Sequence, residues 1–358
     1  VTTGQSGWRA RAAIAGIATT VAAAAIGVAV AAHALDAPPI QQDSCNLSAP
    51  GRIVAVGDVH GAFDHYTAIL RETKLLDARL RWIGGNATLV QVGDTLDRGD
   101  DSRKVLDLVR RLETEAPKTG GQVRFVLGNH EIMRMAGDWR YVSKADYESF
   151  QTPQAAEMRD RLYAEALKAN DAARAKDEMT VLFSESGEYG RWLRQHDIMV
   201  RINGIAFVHA GPGRAFADRG CAGLNADARG EIKSLNLADP DLKKKLLWSP
   251  EGPLWYRGFV GVEPVASADD VTAVLTALGA SHMVIGHTAT KPGRIRSLYE
   301  GKILAIDSGM LGGDFFPEGV PSALEIDKGT FTAVYVGKRE VLIKPGPAAR
   351  PVASRPGR

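Results

Sequence analysis

From Arg52 onward the chain alternates two hydrophobic patterns. Strand-like, mainly apolar runs at Arg52 to Val56, Ala87 to Val92 and Val123 to Leu127 have the length and β-branched content of buried strands. Between them, Phe63 to Leu76 and Ser102 to Glu115 read as helices. Such alternation predicts right-handed βαβ units, parallel pairing and an α/β fold. From Asp138 to Ala175 there is no glycine and no strand signal, and the run AAEMRDRLYAEALKANDAARAKDE is rich in helix formers. This predicts a helical insertion at about 138–190, lying over one face. The segment IMVRINGIAFVHAG then offers two β-rich runs joined by Asn203-Gly204, a type I′ hairpin signal. HMVIGH, KILAID, ALEID and FTAVYVG add strands, the last two flanking Lys328-Gly329, so the later half is expected to shift toward antiparallel pairing.

The ends of the chain follow different patterns. Arg9 and Arg11 precede an Ala, Val and Ile rich run from Ala12 to Ala32, followed by the small-x-small sequence Ala32-His33-Ala34. Residues 1–34 therefore read as a secretory signal peptide, or, since about 20 apolar residues span a bilayer, as an uncleaved anchor. Either way the remainder is expected to be exported, periplasmic or secreted, with membrane contact only if the segment stays uncleaved. Residues 35–51 read as a linker, 52–343 as one domain, and the Pro, Ala and Arg rich stretch 344–358 as a disordered tail.

Composition adds exclusions. A formal net charge of +2 and no like-charge block longer than Lys243 to Lys245 give no field for nucleic acid. Two cysteines, Cys45 and Cys221, are too few for a zinc–thiolate site or a disulfide scaffold. In an exported protein they form one bridge or remain two separate thiols.

The chemistry lies where strands end. The first three strand-like runs lead into GDVHG, GDTLDRGD and GNHE, and later ones into VHAG and VIGHT, placing Asp58, His60, Asp94, Asn129, His209 and His287 at or just after strand ends. In α/β sheets ligands gather at those carboxyl ends. An aspartate or asparagine after a strand is also an ordinary turn residue, and a single histidine is more often a satisfied core group. What separates this set from chance turns is the glycine before Asp58, Asp94, Asn129 and His287, which lets backbone approach each candidate ligand. Oxygen and imidazole donors without thiolate suit Mn²⁺, Fe or Zn²⁺. Six donors exceed what one such ion takes while keeping an open position, which points to two divalent ions sharing a carboxylate, with Mn²⁺ foremost.

GDVHG, GDTLDRG and GNHE resemble the three signature blocks of the calcineurin-like metallophosphoesterases, in particular the PPP-type phosphoprotein phosphatases. SGEYGRWL, VHAG, GPLWYRG, VIGHT and IDSGM are similar to the Shewanella-like phosphatase branch, and the likeness runs from about Arg52 to Gly337. The resemblance implies a four-layer αββα sandwich and a dinuclear centre, one ion on Asp58, His60 and Asp94, the other on Asp94, Asn129, His209 and His287. It implies phosphate-ester hydrolysis by in-line attack of a water activated between the ions. It also pairs His130, as proton donor to the leaving oxygen, with Asp97, as the carboxylate that orients it. An ion pair of Asp97 with Arg98 is the simpler alternative for that carboxylate. Arg98 fits a phosphate clamp, helped by Asn129, with Arg257 as opposing jaw or as a cation–π partner of Trp255 or Tyr256. Trp248, Trp255 and Tyr256 line the substrate groove or pack in the core, and Glu131 supports the ligands from behind.

Three departures limit the inheritance. Ala210 follows the metal-type histidine where many PPP enzymes have glycine, VIGHT lacks an arginine, and the SAPNY block is absent. The expected substrate is a phosphorylated protein, on Ser/Thr or Tyr, or a small phosphoester. The alternative is a nucleotide or dinucleoside polyphosphate, and a non-catalytic phosphoprotein binder is the reading from another class.

Overall fold

The computed structural model describes residues 44–164, 168, 177–262 and 265–345. The expected export segment, most of the linker and all but the first residues of the tail lie outside these described residues. The first half comprises β1 (Ile53–Val56), α1 (Phe63–Glu72), β2 (Thr88–Val92), α2 (Ser102–Glu115), β3 (Gln122–Val126) and α3 (Asn129–Ala136). Short helices follow: α4 (Lys144–Ser149), α5 (Pro153–Leu162), α6 (Glu178–Phe183) and α7 (Glu188–Leu193). The second half holds β4 (Met199–Ile202), β5 (Ile205–Val208), α8 (Arg214–Ala217), α9 (Gly220–Ile232), α10 (Ala268–Leu278), β6 (His282–Ile285), β7 (Arg296–Leu298) and β8 (Ile303–Ala305). It closes with β9 (Ser322–Asp327), β10 (Thr330–Tyr335) and β11 (Lys338–Ile343).

These strands form two mixed sheets, ordered β11-β10-β9-β1-β2-β3 and β4-β5-β6-β8-β7. Side chains alternate faces along a strand, and the two faces of the first sheet separate accordingly. Ile53, Ala55, Val90, Val92 and Val126 meet Phe207, Val284 and Leu304 of the second sheet in one buried cluster. Val54, Val56 and Leu89 turn the other way and share a cluster with Tyr66 and Ile69 of α1 and Leu106 and Val109 of α2. On the second sheet Met199, Val208 and Met283 join the same apolar set as Leu224 of α9 and Val271 of α10. The result is helices, sheet, sheet, helices.

The parallel order expected for the first half is present: β1 pairs with β2 and β2 with β3, both parallel. In the later half pairing shifts toward antiparallel, as expected, with two exceptions. The pairs β4–β5, β7–β8, β9–β10 and β10–β11 are antiparallel, but β5–β6 and β6–β8 are parallel. The reason is topological, because the helices between β5 and β6 carry the chain back to the starting end. The Asn203-Gly204 turn has φ of 51° and 76°, and Lys328-Gly329 has 48° and 78°, as two-residue turns of the I′ class require. Helix α1 stops at Glu72, short of the expected Leu76, where the Thr73 hydroxyl donates to the Ile69 carbonyl at 2.9 Å and Lys74 turns to a φ of 54°.

Residues ahead of β1 run along β4, the outermost strand of the second sheet. Arg201 N–H donates to Ser44 O at 2.7 Å, Leu47 N–H to Arg201 O at 3.0 Å, and Asn203 N–H to Leu47 O at 3.0 Å. A disulfide from Cys45 to Cys221 of α9, with Cα atoms 5.8 Å apart, fastens this segment, settling the open question of the two thiols in favour of the bridge. It closes a loop across a separation of 176 residues. Constraining so long a loop lowers the entropy of the unfolded chain. Chemical reduction, or Cys221→Ser, is therefore expected to lower the unfolding free energy by about 2–5 kcal/mol, read from denaturant curves with and without reductant.

Candidate metal centre

The six expected donors converge at one end of the two sheets. Asp58 and His60 follow β1, Asp94 follows β2, Asn129 opens α3 after β3, and His209 and His287 follow β5 and β6. All six are buried. The backbone there is tightly folded: His60, Asp94, Asp97, Arg98 and His287 have φ of 48°, 49°, 69°, 67° and 66°. That left-handed region is uncommon for side-chain-bearing residues, although Asp, Asn and His tolerate it best, and it is concentrated at functional sites. The glycines set the clearances. A Cβ on Gly128 would stand 2.2 Å from Asp94 Oδ1, and one on Gly286 would stand 2.3 Å from Asp58 Oδ1.

Asp94 is the hub. Its Oδ2 lies 3.2 Å from His209 Nε2 and 3.8 Å from both His60 Nε2 and His130 Nε2, while its Oδ1 accepts the His130 backbone N–H at 3.0 Å. Two donor groups share it, His60 with His130 and His209 with His287, each set within 4.8 Å. Asp58 joins from β1: Oδ2 is 3.8 Å from His60 Nε2 and Oδ1 accepts the His287 N–H at 2.9 Å. Asn129 Oδ1 is 3.0 Å from His209 Nε2. Glu131 holds the hub from behind, accepting from Asp94 N, Thr95 N, Thr95 Oγ1 and Gly128 N, each at 2.8 Å.

Ring orientation is set by the nitrogen that faces away. His60 Nδ1 bonds the Leu96 carbonyl and His209 Nδ1 the Val92 carbonyl, both at 2.9 Å, which directs each Nε2 into the cluster. His287 Nε2 is buried with no hydrogen-bond partner among the described residues. Burial, aided by His130 and Arg98, lowers the His60 pKa to about 3, and burial with His209 and Arg257 holds His287 well below its ordinary value. Both rings are thus neutral, the form that binds metal. Burial and the neighbouring Asp307 push Asp58 well up, whereas at Asp94 burial is outweighed by His209, His130 and His60, which hold it well down. His209, despite burial, is raised to about 10 by Asp94 and Asp58. A buried cluster of carboxylates, an amide oxygen and inward-facing imidazole nitrogens, one of them without a partner, fits divalent cations.

His130 Nδ1 lies 2.7 Å from Asp97 Oδ2. The other oxygen of Asp97 accepts from Arg134, so the alternative Asp97–Arg98 pair does not form. Arg98 instead donates to His60 Nε2, its guanidinium 5.6 Å from the Tyr141 ring and 5.5 Å from the Phe316 ring. Arg257 donates from Nη1 to the His287 carbonyl and to Thr288 Oγ1, both at 3.0 Å, which ties it to the loop that carries the last histidine. Trp255 meets His287 edge-on at 5.8 Å and Trp248 stacks behind it, while Tyr256 packs on Phe259 in the core.

Residue-by-residue reading of the sequence missed Arg134, Asp146, Asp307, Tyr141 and Phe316. Asp307 carried a signal, since it follows the apolar run KILAI as Asp94 follows TLVQV. It is buried beside Asp58 and raised to about 6 by burial and by Asp94, against a hydrogen bond from Gly309 N–H at 2.8 Å. Arg134 and Asp146 carried none, because their partnership spans the insertion.

The calcineurin-like phosphoesterase family model matches residues 51–291, and the chain belongs to that family of metal-dependent phosphoesterases. Within it, the protein is similar to the Shewanella-like phosphatases. It is 29% identical over 307 residues to Shewanella-like protein phosphatase 2 of Arabidopsis thaliana, covering 77% of this chain and 75% of that one. An uncharacterised protein of Schizosaccharomyces pombe is 32% identical over 268 residues, 73% and 74% of the two chains. Among solved structures, the cold-active protein tyrosine phosphatase of a psychrophilic Shewanella superposes with a TM-score of 0.66 at 25% identity, over 83% of this chain and 82% of that one.

Gly286→Ala is expected to displace Asp58 and weaken metal binding by about 10–100-fold, the range for a disturbed ligand support. Metal content of the purified variant, with circular dichroism to establish folding, checks it.

Proposed function

We propose that the chain is an exported phosphoprotein phosphatase working with two divalent ions, Mn²⁺ in the first instance. The observation that carries this reading is Asp94, whose single carboxylate belongs to both donor groups. Asp58, His60 and Asp94 would hold one ion, and Asp94, Asn129, His209 and His287 the other. When bound, such ions would neutralise phosphoryl charge and make a water acidic enough to act as nucleophile at neutral pH. Tyrosine phosphate is the favoured side chain: the similar Shewanella enzyme is a protein tyrosine phosphatase, and the Tyr141 ring, 5.2 Å from the His130 ring, offers an aromatic surface beside the proton donor. Export rests on the N-terminal sequence and on the disulfide, which persists in oxidising compartments.

The chain's own groups then divide the work. Arg98 and Arg257, with Asn129, bind the phosphoryl oxygens. His130 delivers a proton from Nε2 to the departing oxygen, and Asp97 fixes the ring by taking Nδ1–H. Trp255 and Phe316 exclude water from the flanks of the imidazole cluster.

Phosphotyrosine peptide, phosphoserine peptide, p-nitrophenyl phosphate and a dinucleoside polyphosphate would be compared on the metal-loaded protein. The expected order places phosphotyrosine first and the dinucleotide last; preference for the dinucleotide would reverse the substrate assignment. Asp94→Asn, or chelation, is expected to abolish turnover, and His130→Asn to lower kcat on phosphopeptide by about 10²–10⁴-fold. Equal turnover by wild type and Asp94→Asn is incompatible with the proposal.

A further inference from the structure

Arg134 is completely buried and lies one shell beyond the groups that would touch substrate. Its Nη2 donates both to Asp97 Oδ1 and to Asp146 Oδ2, the latter at 2.9 Å. Three rings wall the guanidinium, with Trp139 at 5.8 Å, Phe150 at 5.7 Å and Phe183 at 5.1 Å, and Met179 Sδ lies 3.5 Å from Nη1. We propose that Arg134 is a positioning residue for the general acid, and that through Asp146 it makes the helical insertion a determinant of how firmly Asp97 orients His130.

The geometry carries this as follows. Asp97 has two oxygens and two partners, His130 on Oδ2 and Arg134 on Oδ1, so the guanidinium fixes the carboxylate plane that aims the imidazole. The other side-chain partners named above, Trp139, Asp146, Phe150, Met179 and Phe183, all lie between residues 139 and 183. Asp146 sits in the first turn of α4, where its N–H is capped by Ser143 Oγ at 3.0 Å; Phe150 ends that helix, and Met179 and Phe183 belong to α6. Stability alone does not account for such an arrangement, because apolar side chains of similar volume commonly serve a core as well as a buried ion triad. Burial and the Arg134 contact act in opposite directions on Asp146, and burial prevails, raising it to about 6, while Asp97 is held low. The same guanidinium nitrogen joins Asp97 to Asp146, so the insertion forms its outer support.

This inference rests on the assignment of His130 as proton donor, and the experiment separates the two. A proton donor matters most for a poor leaving group, so each variant is assayed on an alkyl phosphate and on 2,4-dinitrophenyl phosphate, whose phenolate leaves unaided. Arg134→Met is expected to lower kcat on the alkyl ester by about 10²-fold, within the span of general acid catalysis, and on the dinitrophenyl ester by less than about threefold, with KM nearly constant. Arg134→Lys, which retains a cation between the carboxylates, is expected to recover most of the alkyl-ester rate. Asp146→Leu is expected to give the same pattern with a smaller loss. If Arg134→Met does not fold by circular dichroism, Arg134→Gln, which keeps an N–H donor, takes its place. A folded variant that loses both activities equally, or neither, overturns the proposal, and an unaltered Asp146→Leu removes the insertion from it. If His130→Asn, with Arg134 intact, shows no leaving-group dependence, the proton-donor assignment has failed and the inference with it.

Discussion

An ionised carboxylate with no water around it is costly unless positive or hydrogen-bonding groups surround it. Asp94 is such a group, and the architecture at this end of the molecule follows from that requirement. Three imidazoles, two from loops and one from the first turn of α3, approach one of its oxygens, a backbone N–H donates to the other, and Glu131 grips the peptide N–H of Asp94 itself. Bringing loops from β1, β2, β3, β5 and β6 to a single point requires two sheets stacked with their strand ends in register. It also requires backbone turns too sharp for ordinary side chains, which is why glycines and left-handed residues crowd the site.

Much of this was legible before any coordinates. A short apolar strand followed by glycine and a donor residue is a local signal, and it repeats often enough in one chain to locate Asp58, Asp94, Asn129 and His287 without knowledge of the topology. The two I′ turns were legible for the same reason, since two adjacent residues fix their geometry. What escaped was non-local or weakly patterned. Strands β7 and β11 lie at sheet edges and are half exposed, so they lack the apolar runs that mark buried strands. The parallel pairing of β5 with β6 depends on a crossover of several helices, which no short window contains. Asp307 follows an apolar run as Asp94 does, but Ile306 and not glycine precedes it, so its local signal is weaker.

The insertion illustrates the same division. Its helices were visible as composition, but their bearing on the site was not, because Arg134, Asp146, Phe150 and Phe183 come together only when the segment folds back over α3. A buried arginine held between two carboxylates is an expensive way to fill space, and its position directly behind Asp97 links the insertion to the reacting end of the molecule.

The segment fastened by the Cys45–Cys221 bridge has a role beyond entropy. β4 is one of the two edge strands of its sheet, and an open strand edge invites pairing with strands of other molecules. Residues 44–47 lie along that edge and occupy its hydrogen-bonding groups. The bridge therefore acts as a guard against self-association, and a molecule in which it never closed would betray itself first by clumping, while the donor cluster at the carboxyl ends of the strands stayed intact.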